Sequence, residues 1–159
     1  MAFFATKLGK LLLTFLISML PVVELRGGIP FGVASGVEPW LAFAASVAGN
    51  LLPVPFILLF IRRILAWMKT RPKLCGIAEK IERRAERKSG RVRKSELVGL
   101  CLFVAVPLPG TGAWTGALIA ALMQMRMKRA LPAIAIGVLI AGVLITLAAT
   151  GVKALRFII

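Results

Sequence analysis

Residues 24–32 read Glu24-Leu25-Arg26-Gly27-Gly28-Ile29-Pro30-Phe31-Gly32, two opposite charges, three glycines and a proline set inside apolar sequence. Upstream, Leu11 to Val23 is an apolar run of about 20 Å as helix, against a hydrocarbon core of about 30 Å. Downstream, a second short apolar piece reaches Val37 before Glu38 and Pro39. Two pieces too short to cross a bilayer, joined by a Pro/Gly break, predict a re-entrant hairpin. The pattern recurs at Leu97–Val106, the break Pro107-Leu108-Pro109-Gly110-Thr111-Gly112, and Ala113–Met125. Each hairpin is followed by an apolar stretch long enough to cross, Trp40–Ile61 and Leu131–Val152. Pro53 and Pro55 predict a kink in the first of these.

The chain therefore reads as an all-α integral membrane protein, a single membrane domain over residues 1–159 built from two repeats. Residues 1–63 form the first, 64–95 a basic connector and 96–159 the second. If each hairpin returns to its starting side, the two spans run in opposite directions, the repeats are inverted and both termini lie outside. Four full crossings with both termini inside are the alternative. The N-terminal run after Lys7 and Lys10 resembles a signal peptide but lacks a small-residue cleavage site, so it is expected to be retained.

Composition agrees with a membrane location. Of the 159 residues 59% are hydrophobic and 17% charged, the mean hydropathy is +0.91, and 21 Lys and Arg against 6 Asp and Glu give a net charge of +15. Soluble proteins average roughly 45–50% apolar and 25% charged. Thirteen of the 21 cations fall between Arg62 and Lys94, which by the positive-inside rule makes the loop 62–95 cytoplasmic. Lys7, Lys10, Lys153 and Arg156 stand against outside termini. Within the loop, Leu74, Ile77, Ala78, Ile81 and Ala85 recur at helical spacing opposite a charged face. This amphipathic helix would lie on anionic headgroups or serve as a solvated connector.

With no His, Asp or Tyr, the chain lacks the side chains for a Ser-His-Asp triad or the usual zinc sites. No catalytic residues, metal or cofactor are expected. Cys75 and Cys101 have neither CxxC spacing nor a disulfide framework and read as free thiols. Basic residues gathered between apolar runs, without aromatic interleaving, argue against a nucleic-acid partner.

Interrupted segments at matching places in two halves point to a transport site, because half-helix ends direct unpaired N–H groups at a substrate. Glu24 and Arg26 head the candidates, since ionisable groups at membrane depth are costly and functional by default. A desolvated Glu24 could carry a proton, and Arg26 could hold a phosphate; a structural ion pair is the alternative role. Gly27, Gly28 and Pro30 complete the first break. The second supplies Pro107, Pro109, Gly110, Thr111, Gly112, Trp114 and Thr115, with Asn50 inside the first span as a further polar group.

At Glu24–Gly32 and at Pro107–Gly116 the sequence resembles the small multidrug export protein family of prokaryotic membrane proteins, over nearly the whole chain. That family in turn is remotely similar to the DedA (SNARE-associated, VTT-domain) proteins, which have paired re-entrant hairpins and include lipid scramblases and polyprenyl-phosphate flippases. The resemblance implies lipid handling, with Glu24 and Arg26 matching the charged residues of the first DedA hairpin. The second break lacks an arginine, Arg126 being the nearest.

The expectation is a transporter of the inner (plasma) membrane whose two facing hairpins move an amphipathic, anionic, lipid-like substrate, with proton coupling through Glu24. Proton-coupled export of small hydrophobic compounds is the alternative. A non-transporting scaffold acting through the basic loop is the second alternative. Membrane lipids and a small amphipathic substrate are the expected partners, and a homodimer the expected assembly.

Overall fold

In a computed structural model that describes residues 6–89, 96–108 and 110–158, those residues form helices and turns without a strand. The helices are α1 (Lys7–Met19), α2 (Glu24–Ala34), α3 (Pro39–Leu51), α4 (Pro53–Lys69), α5 (Pro72–Ser89), α6 (Glu96–Ala105), α7 (Ala113–Leu122) and α8 (Met127–Ile158). The order short, short, long occurs twice. Pro39–Lys69 and Met127–Gly151 are long and apolar enough to cross a membrane, whereas α1, α2, α6 and α7 have 13, 11, 10 and 10 residues. The expected helices, short and long, are thus present among the described residues.

Local chemistry sets the boundaries. Thr6 caps α1, its Oγ1 accepting the Gly9 N–H at 3.1 Å. Gly36, at φ +85°, ends α2. Around it the Val37 N–H reaches Gly32 O at 3.0 Å and the Gly36 N–H reaches Val33 O at 3.2 Å, the paired bonds of a Schellman cap. The expected interruption at the prolines falls at Leu52, between α3 and α4, where Pro53 and Pro55 supply no N–H. Gln124, at φ +57°, turns the chain out of α7.

The first break is not where the sequence pattern placed it. The chain turns at Leu20–Val23, and Glu24–Gly32 is helical throughout, Pro30 included. Pro30 removes the hydrogen bond to the Arg26 carbonyl, but Gly28 and Gly32 let α2 approach its neighbours closely, and that packing holds the helix. The second break stands as expected, residues 106–112 being non-helical wherever they are described; Pro109 lies outside the described residues.

The chain forms two compact units, Met1–Leu52 with Val138–Ile159, and Pro53–Gly137. In the first, α1, α2 and α3 pack mutually through small and polar side chains. Thr14, Ser18, Gly28, Gly32, Ala42 and Ser46 are buried, while Leu8, Leu12, Leu16 and Leu20 form an exposed stripe along α1. Large apolar residues outside and small or polar ones inside are what lipid-facing helices show, where close backbone approach replaces the hydrophobic drive.

In the second unit, α4 packs on α5 and α7, and α6 on α7. α4 continues helically through the exposed Arg62 and Arg63 to Lys69. The amphipathic α5 has a protein partner: it packs on α4 and α7, burying Ala78 and Ala85, while Lys80, Arg83, Arg84 and Arg87 remain exposed. Lys69 and Glu82 pair at 2.6 Å and Arg83 and Glu79 at 3.2 Å. Small residues on the inner face explain the docking, because alanines permit closer helix approach than the leucines and isoleucines beside them. Residues 90–95 of the basic stretch lie outside the described residues.

Candidate functional site

The α2–α3 hairpin has a register that can be read from its glycines. A Cβ added at Gly32 would stand 2.8 Å from Ala42 Cβ and 2.9 Å from Thr14 Oγ1. One at Gly28 would overlap the Ser18 hydroxyl and stand 2.9 Å from Ser46 Oγ. Gly32 therefore faces Ala42, and Gly28 faces Ser46, on antiparallel helices. One further turn along each brings Glu24 on α2 level with Asn50 on α3.

This level is buried and polar. Glu24 is 5% exposed, Asn50 1% and Ser46 0%. Ser46 Oγ and both the Nδ2 and Oδ1 of Asn50 have no hydrogen-bond partner, a condition that costs about 1–3 kcal/mol per group in a dry interior. On α1, by contrast, Thr14 Oγ1 donates to Lys10 O and Ser18 Oγ to Thr14 O, both at 2.8 Å. Those two hydroxyls are consumed by their own helix, while Ser46 and Asn50 keep their capacity for a ligand or water.

Glu24 is held in the left-handed region at φ +51°, which costs a non-glycine residue about 1–3 kcal/mol. Such strain persists only where surrounding structure enforces it. Here the turn Leu20–Val23 delivers the chain into α2, with the Glu24 N–H bonded to Leu20 O at 2.9 Å. Arg26 is half-buried and interacts electrostatically with Glu24. Gly27 is half-buried and Pro30 exposed, so both lie away from the face that α2 turns to α3.

The other candidates lie in the second unit. Thr111 is 8% exposed, and its hydroxyl holds its own loop: Oγ1 reaches Val106 O at 2.7 Å and Leu108 O at 2.8 Å, and accepts the Leu108 N–H at 3.2 Å. Gly110 and Gly112 take φ +76° and +146°, values that side chains resist. Gly112 caps α7 without a side-chain hydrogen bond. Pro107 and Gly110 are exposed, and Trp114 and Thr115 half-buried.

At the far end of the α2–α3 hairpin, Lys7 Nζ pairs with Glu38 Oε1 at 2.8 Å, Trp40 Nε1 donates to Glu38 Oε2 at 2.8 Å, and Lys10 Nζ donates to Ser35 O at 2.8 Å. These donors hold the Glu38 carboxyl below its ordinary range. Two of the cations that oppose an outside N-terminus are thus engaged locally.

Sequence reasoning singled out Glu24 and Asn50 and missed Ser46, Ser18 and Thr14. The signal was available as four-residue spacing: Thr14–Ser18, Gly28–Gly32 and Ala42–Ser46–Asn50 each lie on one face of an apolar helix.

A family model described as "Putative small multi-drug export protein" matches residues 24–144. It begins at Glu24 and takes in both Gly/Pro segments. No curated protein and no solved structure matches the chain.

Proposed function

Because the chain belongs to the small multi-drug export protein family, we propose that it exports small hydrophobic or amphipathic compounds across the plasma membrane in exchange for protons. Glu24 is the coupling group, and Ser46 and Asn50 are the polar contacts beside it. The observation that carries this reading is the level shared by Glu24 and Asn50: a buried carboxyl on strained backbone, on the same hairpin as side chains whose hydrogen-bonding capacity is unspent. A carboxylate at membrane depth has to be paired, protonated or occupied, so alternation between a proton and a cationic or polar substrate gives it a stable state at each step.

In this reading the short helices α1/α2 and α6/α7 are re-entrant hairpins of inverted repeats, Pro39–Lys69 and Met127–Gly151 cross the membrane, and residues 62–95 lie in the cytoplasm. Two crossing helices enclose little volume, so the working unit is a homodimer surrounded by lipid.

A polyprenyl-phosphate or other anionic lipid is the second reading of the substrate, favoured by one feature: the Arg26 guanidinium beside Glu24, a planar fork suited to phosphate.

The test is transport in proteoliposomes. An imposed interior-acid gradient should drive accumulation of a fluorescent hydrophobic cation, abolished by Glu24→Gln and by a protonophore, and partly kept by Glu24→Asp. Transbilayer movement of a fluorescent anionic lipid, lost in Arg26→Ala, would instead select the second reading. Neither movement, with deletion of the basic stretch 74–94 abolishing the cellular phenotype, would select the scaffold.

A further inference from the structure

In the second unit, α6 and the first turns of α8 border a groove of about 460 Å³, within the size range of small-ligand sites. α6 supplies Leu97, Val98 and Leu102 to its walls, and α8 supplies Pro132 and Ile136. Leu97, Val98, Leu102 and Ile136 are 42–58% exposed, so these walls are open to a partner. Lys128 and Arg129 also line the groove, at its end nearest the start of α8.

Among the described residues no carboxylate pairs with Lys128 or Arg129, and the first turn of α8 holds no acidic residue. Cations at a helix N-terminus oppose the positive end of the macrodipole, so an anion seated there relieves both. From Lys128 to Ile136 the helix rises about 12 Å, leading from a cluster of basic residues into the apolar span. Charge sits at one end of the groove and apolar walls lead away from it.

We propose that this groove seats an anionic phospholipid, its phosphate held by Lys128 and Arg129 and one acyl chain laid along Leu102, Pro132 and Ile136. The Arg129 guanidinium offers a bidentate fork to phosphate, and the inner leaflet is where anionic lipid meets a basic helix end. The lipid is a resident ligand, independent of the compound transported: the groove belongs to the second unit, and Glu24 and Asn50 belong to the first.

The experiment is native mass spectrometry of the full chain in detergent, titrated with phosphatidylglycerol or with phosphatidylcholine of identical acyl chains. The protein should retain phosphatidylglycerol about tenfold better or more. Lys128→Gln with Arg129→Gln should cost about thirtyfold, near fivefold for each cation removed at a membrane surface. Lys80→Gln with Arg84→Gln, an equal loss of charge on α5, should leave the preference intact. Ile136→Trp or Val98→Trp, both at exposed positions, should displace either lipid by filling the groove. A diazirine-bearing phosphatidylglycerol should crosslink to residues 97–102 and 128–136. Equal retention of the two lipids, a preference that survives the Lys128/Arg129 double variant, crosslinks mapped elsewhere, or a second copy crosslinked through a photoreactive group at Leu102 would each overturn the proposal.

Discussion

Glu24 at the start of α2 and Asn50 near the end of α3 stand at one level of their hairpin, one helical turn beyond the contact of Gly28 with Ser46, and both are buried. The pairing follows from antiparallel register. It puts an ionisable group at the level of an amide whose donor and acceptor are both unspent, a poor arrangement for stability and a useful one for binding.

Asn50→Leu separates those two properties. Removing two unsatisfied polar atoms at nearly constant volume should raise stability, by about 1 kcal/mol or more, while transport falls. Thermal unfolding in detergent and the dye-accumulation assay measure the two effects. Lower stability with unchanged transport would make Asn50 a structural residue.

Gly28 and Gly76 should respond oppositely to alanine. A Cβ at Gly28 would overlap the Ser18 hydroxyl, whereas Gly76 on α5 has nothing within 4 Å. Gly28→Ala should destabilise by about 1–3 kcal/mol, and Gly76→Ala should stabilise by up to about 1 kcal/mol through helix propensity. Melting temperatures of the two variants in one detergent provide the check.

Glu38 carries a pH signature. Donation from Lys7 and Trp40 holds its carboxyl below the ordinary range, so the contact contributes in full above that range and is lost as pH falls through the lowered value. Carboxyl NMR of Glu38 should titrate below an ordinary glutamate, and Lys7→Met should move the midpoint back up. An ordinary midpoint in the parent protein would remove the Lys7 contact from the account.

Cys75 reports on both chemistry and sidedness. Its thiol donates to Glu79 Oε1 at 3.5 Å, and the carboxylate pushes the thiol above its usual value. Labelling by a membrane-impermeant maleimide near neutral pH should be slow, faster in Glu79→Gln, and confined to permeabilised cells. Labelling in intact cells would place the basic stretch outside.

The apolar runs and their interruptions were legible because length and hydropathy are local properties. The two long apolar helices, α5 and the non-helical residues at 106–108 and 110–112 follow from them directly. The position of the first turn did not, because Gly28, Gly32 and Pro30 read alone as helix breakers. Only the neighbouring Thr14, Ser18, Ala42 and Ser46 show that those glycines are contact points inside a helix. For the same reason Glu24 was visible as a carboxylate set in apolar sequence, while Ser46 stayed hidden among ordinary small residues. The docking of α5 on α7 depends on Ala78 and Ala85 meeting another helix, which no property of α5 by itself encodes.

Proton release on binding shows whether proton and substrate share Glu24. Purified protein in weakly buffered detergent solution, mixed with saturating hydrophobic cation, should release up to one proton per chain, and Glu24→Gln should release none while remaining folded. Equal release from the parent and Glu24→Gln proteins, or binding to the parent with no release at any pH between 5 and 9, would contradict it.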